Sequence, residues 1–251
     1  MATWAQPFLP FLVLLGRVSA FLAVLPIFGW RALPGPMKVM LALLLTVFVA
    51  MLTPPAPIVQ QPLGAWAVCL LVVGETLCGL ALGLAVRLVF AAVEVGGRIA
   101  GRQMGLALAG TYDPATGEQS QPLATYLEIL FVLFFLVVSG HHLLLRLVFG
   151  SYEVFPVGSI PSLGQMAEAL VVAGSAMLLF GLKLAAPVLA AFLCLSVLLA
   201  ILARVLPELN VLFLSLPLRV GLGLFMAAAI VPALDSLTDD LARWLSAFFI
   251  A

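Results

Sequence analysis

The chain has 251 residues, of which 65% are hydrophobic and only 9% charged, with 11 Lys+Arg against 11 Asp+Glu and a mean hydropathy of +1.27. Soluble domains carry about 45–50% apolar and about 25% charged residues, so this chain has too few polar side chains to coat a surface in water. The same figures exclude disorder, which needs low hydropathy and high charge, and nucleic-acid recognition, which needs a basic excess.

Apolar runs of about 18 residues or more mark candidate membrane helices. The first, Phe8 to Phe28, is closed by Pro26 and Gly29. No positive residue precedes it and Arg17 interrupts it, so it is expected to stay as a helix rather than be removed as a signal. A breaker-rich loop, Gly29 to Pro36, leads to the second run, Met37 to Leu52, which ends at Pro54, Pro55 and Pro57. The third run, Trp66 to Val93, places Glu75, Gly79 and Gly83 at four-residue spacing on one helical face. Glycine at that spacing admits a neighbouring helix backbone. From Glu94 the character changes. Glu94, Arg98 and Arg102 repeat at i, i+4, i+8, which permits a Glu94–Arg98 pair, and Gly97, Gly101 and Gly105 form a smooth second face.

The longest polar stretch, Gly110 to Pro122, contains the turn signals Asp113-Pro114 and Thr116-Gly117 behind an apolar lip from Leu106 to Ala109. Loops of this length in a compact chain are usually functional or disordered. The fourth run, Leu123 to Val138, is followed by Ser139-Gly140-His141-His142 and a short apolar return, Leu143 to Phe149. The fifth, Met166 to Leu206, would measure roughly 60 Å as a helix and carries Pro187 near its middle, where a kink is expected. The sixth, Leu209 to Leu234, contains Pro217 and Pro232 and precedes a short amphipathic tail. The fold class is therefore all-α and integral to the membrane: about six long, kinked helices arranged as helical hairpins. The 17 Pro and 21 Gly call for helices well surrounded by protein.

Charges inside apolar runs are costly and normally face protein or water. Here they are Arg17, Glu75, Arg87, Arg146, Lys183, Arg204 and Arg219. No acidic pair lies within one helical turn inside a span, which weighs against a proton relay. Adjacent His141 and His142 point to different faces of a helix and lack a third ligand nearby, so a helix-terminal polar pair outweighs a metal site. Ser139 and His141 lack the setting of an intramembrane serine protease. Cys69, Cys78 and Cys194 lie in apolar runs without metal spacing and read as small core residues. Asp239-Asp240 reads as a solvated face. The reading is non-enzymatic, with no cofactor and no metal. A small-molecule secondary transporter is the alternative, although the halves show no internal repeat of the kind such transporters often have.

The motifs, taken in order, resemble a known family. Pro26-Ile27-Phe28-Gly29 precedes Pro34 and Lys38. Gly97-Arg98-Ile99-Ala100-Gly101-Arg102-Gln103-Met104-Gly105 stands ahead of Asp113-Pro114. Gly140-His141-His142 and Pro207-Glu208-Leu209-Asn210-Val211 follow. Together they resemble the FliR family of flagellar export-gate membrane proteins, which has an injectisome counterpart. Glu208 departs from the Gln common there.

The resemblance implies a FliP-like part over 1–164, a FliQ-like kinked hairpin over 165–234 and an amphipathic tail over 235–251. It implies co-assembly with FliP and FliQ family subunits, contact with other export-apparatus membrane proteins and lipid, and passage of unfolded flagellar proteins. The expected location is the bacterial inner membrane, in the flagellar basal body. On this reading the loop 104–122 is a pore plug through Met104, Gly105, Leu106, Ala107, Leu108, Ala109, Gly110, Thr111, Tyr112, Asp113 and Pro114. Gly97, Gly101 and Gln103 pack at the pore wall. Arg17, Glu75, Lys183, Glu208 and Asn210 are the expected intersubunit polar residues.

Overall fold

The computed structural model describes residues 9–26, 34–52, 64–104, 122–159, 163–206, 208 and 210–250. Among these residues the chain is helical and contains no strand. The helices are α1 (Leu9–Val24), α2 (Gly35–Leu52), α3 (Ala65–Gln103), α4 (Pro122–Val137), α5 (Gly140–Val154), α6 (Leu163–Val205) and α7 (Val211–Ile250). This is the all-α membrane class that composition demands, because in hydrocarbon a backbone must satisfy its own polar groups and a helix does so within one segment. Four described helices are long and apolar enough to cross a membrane, and the broken pair α4 and α5 makes a fifth if counted as one span.

Several boundaries differ from those expected from hydropathy. The third run and the charged glycine segment after it form one helix, α3, of 39 residues. No proline lies between Val93 and Gln103, so the helix continues while its exposed side changes from apolar (Leu77, Leu84) to charged (Arg98, Arg102). The short return after His142 is a full helix of 15 residues. It starts immediately after Ser139, which adopts the left-handed conformation (φ 64°, ψ 27°) and breaks α4 from α5. The amphipathic tail is the end of α7 and not a separate element. Pro187, Pro217 and Pro232 all lie inside continuous helices. Each removes one backbone bond to the residue four earlier, but helix runs on both sides.

Hydroxyl side chains inside the helices close on their own backbone. Thr46 donates to the Ala42 carbonyl (2.6 Å), Thr76 to Val72 (2.7 Å), Ser196 to Phe192 (2.8 Å) and Thr238 to Leu234 (2.6 Å). This i−4 back-bonding lets a polar residue sit in an apolar run without an orphaned donor.

The chain divides into two compact units. The first takes the described parts of Met1–Val89, Ser139–Gly174 and Ala242–Ala251. Its core joins Val13, Val18, Phe21, Leu25, Val49 and Val86 with Leu144 and Val148, and α1 packs along α2. The second takes the described parts of Phe90–Val138 and Ser175–Leu241. At its centre Phe90 meets Phe131 and Phe135 edge-on, with ring centroids 5.1 and 4.9 Å apart, an arrangement worth about 0.5–1.5 kcal/mol per pair beyond area burial.

Candidate functional site

In the first unit, three segments far apart in sequence meet at one buried charge pair. Arg17 on α1 donates through Nε to Glu75 Oε2 on α3 at 2.6 Å, and the two side chains are 1% and 3% exposed. Arg17 Nη1 also donates to the carbonyls of Ser151 and Phe155, both at 3.0 Å, and to Ser151 Oγ at 3.3 Å. The other Glu75 oxygen accepts the backbone N–H of Gly158 at 3.0 Å. The guanidinium lies 4.2 Å from the centre of the Tyr152 ring, whose hydroxyl donates to the Leu14 carbonyl. Arg17 Nη2 alone has no partner. The knot therefore ties α1, α3 and the turn after α5 together through charged and backbone groups that hydrocarbon would otherwise leave unsatisfied.

Glycines let this knot close. A Cβ on Gly79 would overlap the Arg17 backbone, one on Gly83 would meet the Phe21 carbonyl at 3.0 Å, and one on Gly16 would meet Thr76 Oγ1 at 3.1 Å. The Glu75–Gly79–Gly83 face thus receives α1, as the spacing predicts, and its carboxylate is part of that same contact. Arg17 and Glu75 were expected at a contact between subunits. The structure pairs them with each other inside one chain and closes them off, because the glycine face brings α1 within reach of the carboxylate.

In the second unit, Gly97 faces α4. A Cβ there would lie 2.7 Å from Ala124 Cα, whereas one on Gly101 would meet Leu123 Cβ at an ordinary 3.7 Å. Gly96 and Gly181 form a second close approach between α3 and α6, each facing a backbone carbonyl of the other helix at 2.9 Å from a would-be Cβ. Glu94 and Arg98 form the i, i+4 ion pair on an exposed surface. Met104, immediately after α3, is 3% exposed and fills the notch left by Gly223 on α7, where a Cβ would meet its Cγ at 2.5 Å and its Sδ at 3.0 Å.

The other expected site residues are placed as follows. Gln103, Lys183, Glu208 and Asn210 are exposed. Lys183 Nζ lies 5.2 Å from the Phe180 ring centre. Of the expected plug, Met104 is described, while Gly105, Leu106, Ala107, Leu108, Ala109, Gly110, Thr111, Tyr112, Asp113 and Pro114 lie outside the described residues. The His141 and His142 rings do not splay apart but lie 4.2 Å apart, tilted by 38°, in the first turn after Ser139. His141 also borders an apolar cavity of about 170 Å³ among α1, α2 and α5, and its Nδ1 is buried without a partner. Among the described residues no group of three His, Cys, Asp or Glu is placed to hold a metal. Cys78 is buried as expected, whereas Cys69 and Cys194 are exposed because they sit on outward helix faces.

The residues missed from sequence are Ser151, Tyr152, Phe155 and Gly158, which complete the Arg17 knot, and Gly223, which seats Met104. Arg17 lies 134 and 138 positions from its two carbonyl partners and 58 from Glu75. The one signal available was that Arg17 and Glu75 are opposite charges in separate apolar runs.

The model for bacterial export proteins, family 1, matches residues 8–243. The chain belongs to this family. It is similar to the flagellar biosynthetic protein FliR of Pectobacterium carotovorum subsp. carotovorum, with 32% identity over 242 residues, 96% of this chain and 90% of that protein. It is also similar to FliR of Bacillus subtilis (strain 168), with 34% identity over 221 residues, 86% and 83% of the two chains. The Yop proteins translocation protein T of Yersinia pestis matches at 30% identity over 219 residues, 85% and 82% of the two chains. The resemblance drawn from the motifs is thereby borne out. The chain is a membrane protein of the bacterial export family that includes FliR, a class of transport components rather than known enzymes.

Proposed function

We propose that this protein is the FliR-type, non-enzymatic subunit of the flagellar type III export gate in the bacterial inner membrane, at the flagellar basal body. It co-assembles with FliP and FliQ family subunits and lies near other membrane proteins of the export apparatus. Together they enclose the passage for unfolded flagellar proteins. The observation that carries this reading is the family match, which runs through both units and every described helix except the last turns of α7. In this reading 1–164 is the FliP-like part, 165–234 the FliQ-like hairpin and 235–251 the tail.

The loop 104–122 seals the passage. Met104 through Pro114 supply the plug, whose apolar lip makes a dewetted constriction, and Gly97, Gly101 and Gln103 serve the packing of the adjoining wall, Gly97 through its close contact with Ala124 on α4. Lys183, Glu208 and Asn210, exposed in the chain, serve the contacts with neighbouring subunits. Arg17 and Glu75 act on those contacts through the shape they impose on the first unit. The preference for a flagellar over an injectisome member rests on the 32% and 34% identity to the FliR proteins of Pectobacterium carotovorum and Bacillus subtilis, against 30% to the Yersinia translocation protein, although other FliR proteins fall to 25–28%.

Deletion of Gly110–Ser120 in the complex assembled with its partners is expected to leak ions across the membrane. Unchanged conductance and unchanged secretion would remove the plug assignment. Failure of the chain to emerge in one large defined particle with FliP and FliQ family proteins in mild detergent would remove the assembly.

A further inference from the structure

We infer that α5 lies outside the hydrocarbon and keeps its outward stripe in water in the assembled complex, so that the stripe meets neither acyl chains nor a neighbouring subunit. The inner side of α5, with Leu144, Leu147 and Val148, is buried in the first unit. The opposite side carries His142, Arg146 and Glu153, all exposed. On a helix of 3.6 residues per turn these three fall within about 40° of one another and form a stripe about 16 Å long. They include both charged residues of α5.

Three features select water. First, the face does not suit acyl chains. The one large apolar side chain that α5 leaves exposed is Val154, at its end, whereas α2 exposes Met40, Leu44, Phe48 and Met51 and α6 exposes Val171, Leu182, Leu193 and Leu198. Charges inside hydrocarbon are costly, and the 15 residues of α5 reach only about 22 Å, short of a hydrocarbon core of about 30 Å. Second, the face lacks what a subunit contact is built on. The centre of an interface is apolar and depleted of charge. Phe149, the aromatic ring beside the stripe, turns instead onto Phe48 of α2, with ring centroids 5.8 Å apart and planes at 72°. Gly150 has nothing within 4 Å of a Cβ placed on it, but its neighbours at four-residue spacing are Arg146 and Val154, so no groove of small residues admits another backbone. Third, neither Arg146 nor Glu153 forms an ion pair among the described residues. A protein cover would have to supply a counter-charge to each, about 10 Å apart along the axis, and strip both of solvent. Water satisfies both at once. The inference rests on α5 and its packing alone, independently of the plug loop and of which proteins form the gate.

The test uses the complex purified with its native partners and reconstituted into phosphatidylethanolamine–phosphatidylglycerol vesicles. In a background with Cys69, Cys78 and Cys194 replaced by Ala, nitroxide labels are placed singly at G150C and E153C. Collision with a water-soluble nickel chelate is expected to exceed collision with dissolved oxygen, which partitions into hydrocarbon, several-fold. Dominant collision with oxygen, the mark of acyl chains, would overturn the inference, as would low collision with both reagents, the mark of a protein cover. Because the labels and the Cys78 replacement could disturb folding, hydroxyl-radical footprinting of the unsubstituted complex in the same vesicles gives a second reading. Radicals generated in the water on both sides of the bilayer are expected to oxidise the His142 ring, as read by mass spectrometry, and a His142 ring left unoxidised would overturn the inference.

Discussion

The Arg17–Glu75 pair supports a quantitative test of what holds the first unit together. Replacing Glu75 with Met leaves the guanidinium buried at 1% exposure with only backbone carbonyls and a hydroxyl for partners. Breaking a buried pair from one side typically costs about 3–5 kcal/mol. Replacing Arg17 with Met strands the carboxylate with the Gly158 N–H alone and orphans the Phe155 carbonyl, which adds about 1–3 kcal/mol for the unsatisfied group. The double Met variant holds no buried charge, so its cost falls to the orphaned backbone groups and any misfit of the new side chains. The two single costs therefore exceed the double by at least about 3 kcal/mol, a coupling far above the roughly 0.3–0.5 kcal/mol of an exposed helical pair such as Glu94–Arg98. The measurement is denaturation in detergent followed by thiol reactivity of Cys78, which is 3% exposed and sits one helical turn from Glu75, with Cys69 and Cys194 replaced by Ser. Additive single-mutant costs, or singles below about 1 kcal/mol, would refute the account of the knot as a closed, mutually dependent charge network.

Other substitutions separate packing from backbone effects. Gly79→Ala is expected to lower stability by about 1–3 kcal/mol through overlap with the Arg17 backbone, while Gly150→Ala, with nothing near its Cβ in α5, raises it by about 0.5–1 kcal/mol; the same denaturation assay should give the two opposite signs. Ser139→Gly is expected to hold or gain up to about 1 kcal/mol by relieving the left-handed backbone, and Ser139→Val to lose more than about 1 kcal/mol. Gly223→Val should displace Met104 from its notch, read as faster proteolysis at the end of α3, and Met104→Ala in the same chain should reverse much of that effect.

Composition and hydropathy alone determined the class and most of the helices. A chain this apolar has to satisfy its backbone locally, so long apolar runs become helices wherever they occur, and α2, α4 and α6 begin and end within three residues of the hydropathic limits. The glycine spacing on α3 likewise announced a close helix contact, because removal of a Cβ on one face has few other uses. The family was legible as well, since its motifs are short runs whose order along the chain needs no fold to be seen. What the sequence did not show was which surfaces those motifs face. Arg17 and Glu75 read as two isolated charges, and only packing of α1 into the Gly79–Gly83 groove, with the Ser151–Gly158 turn brought alongside, made them one buried knot. The continuity of α3 past Val93 and the seating of Met104 against Gly223 were decided in the same way. Helix formation depends on neighbours within four positions, whereas the partner of a buried charge is whichever group the tertiary fold carries to it, here from 58 to 138 residues away.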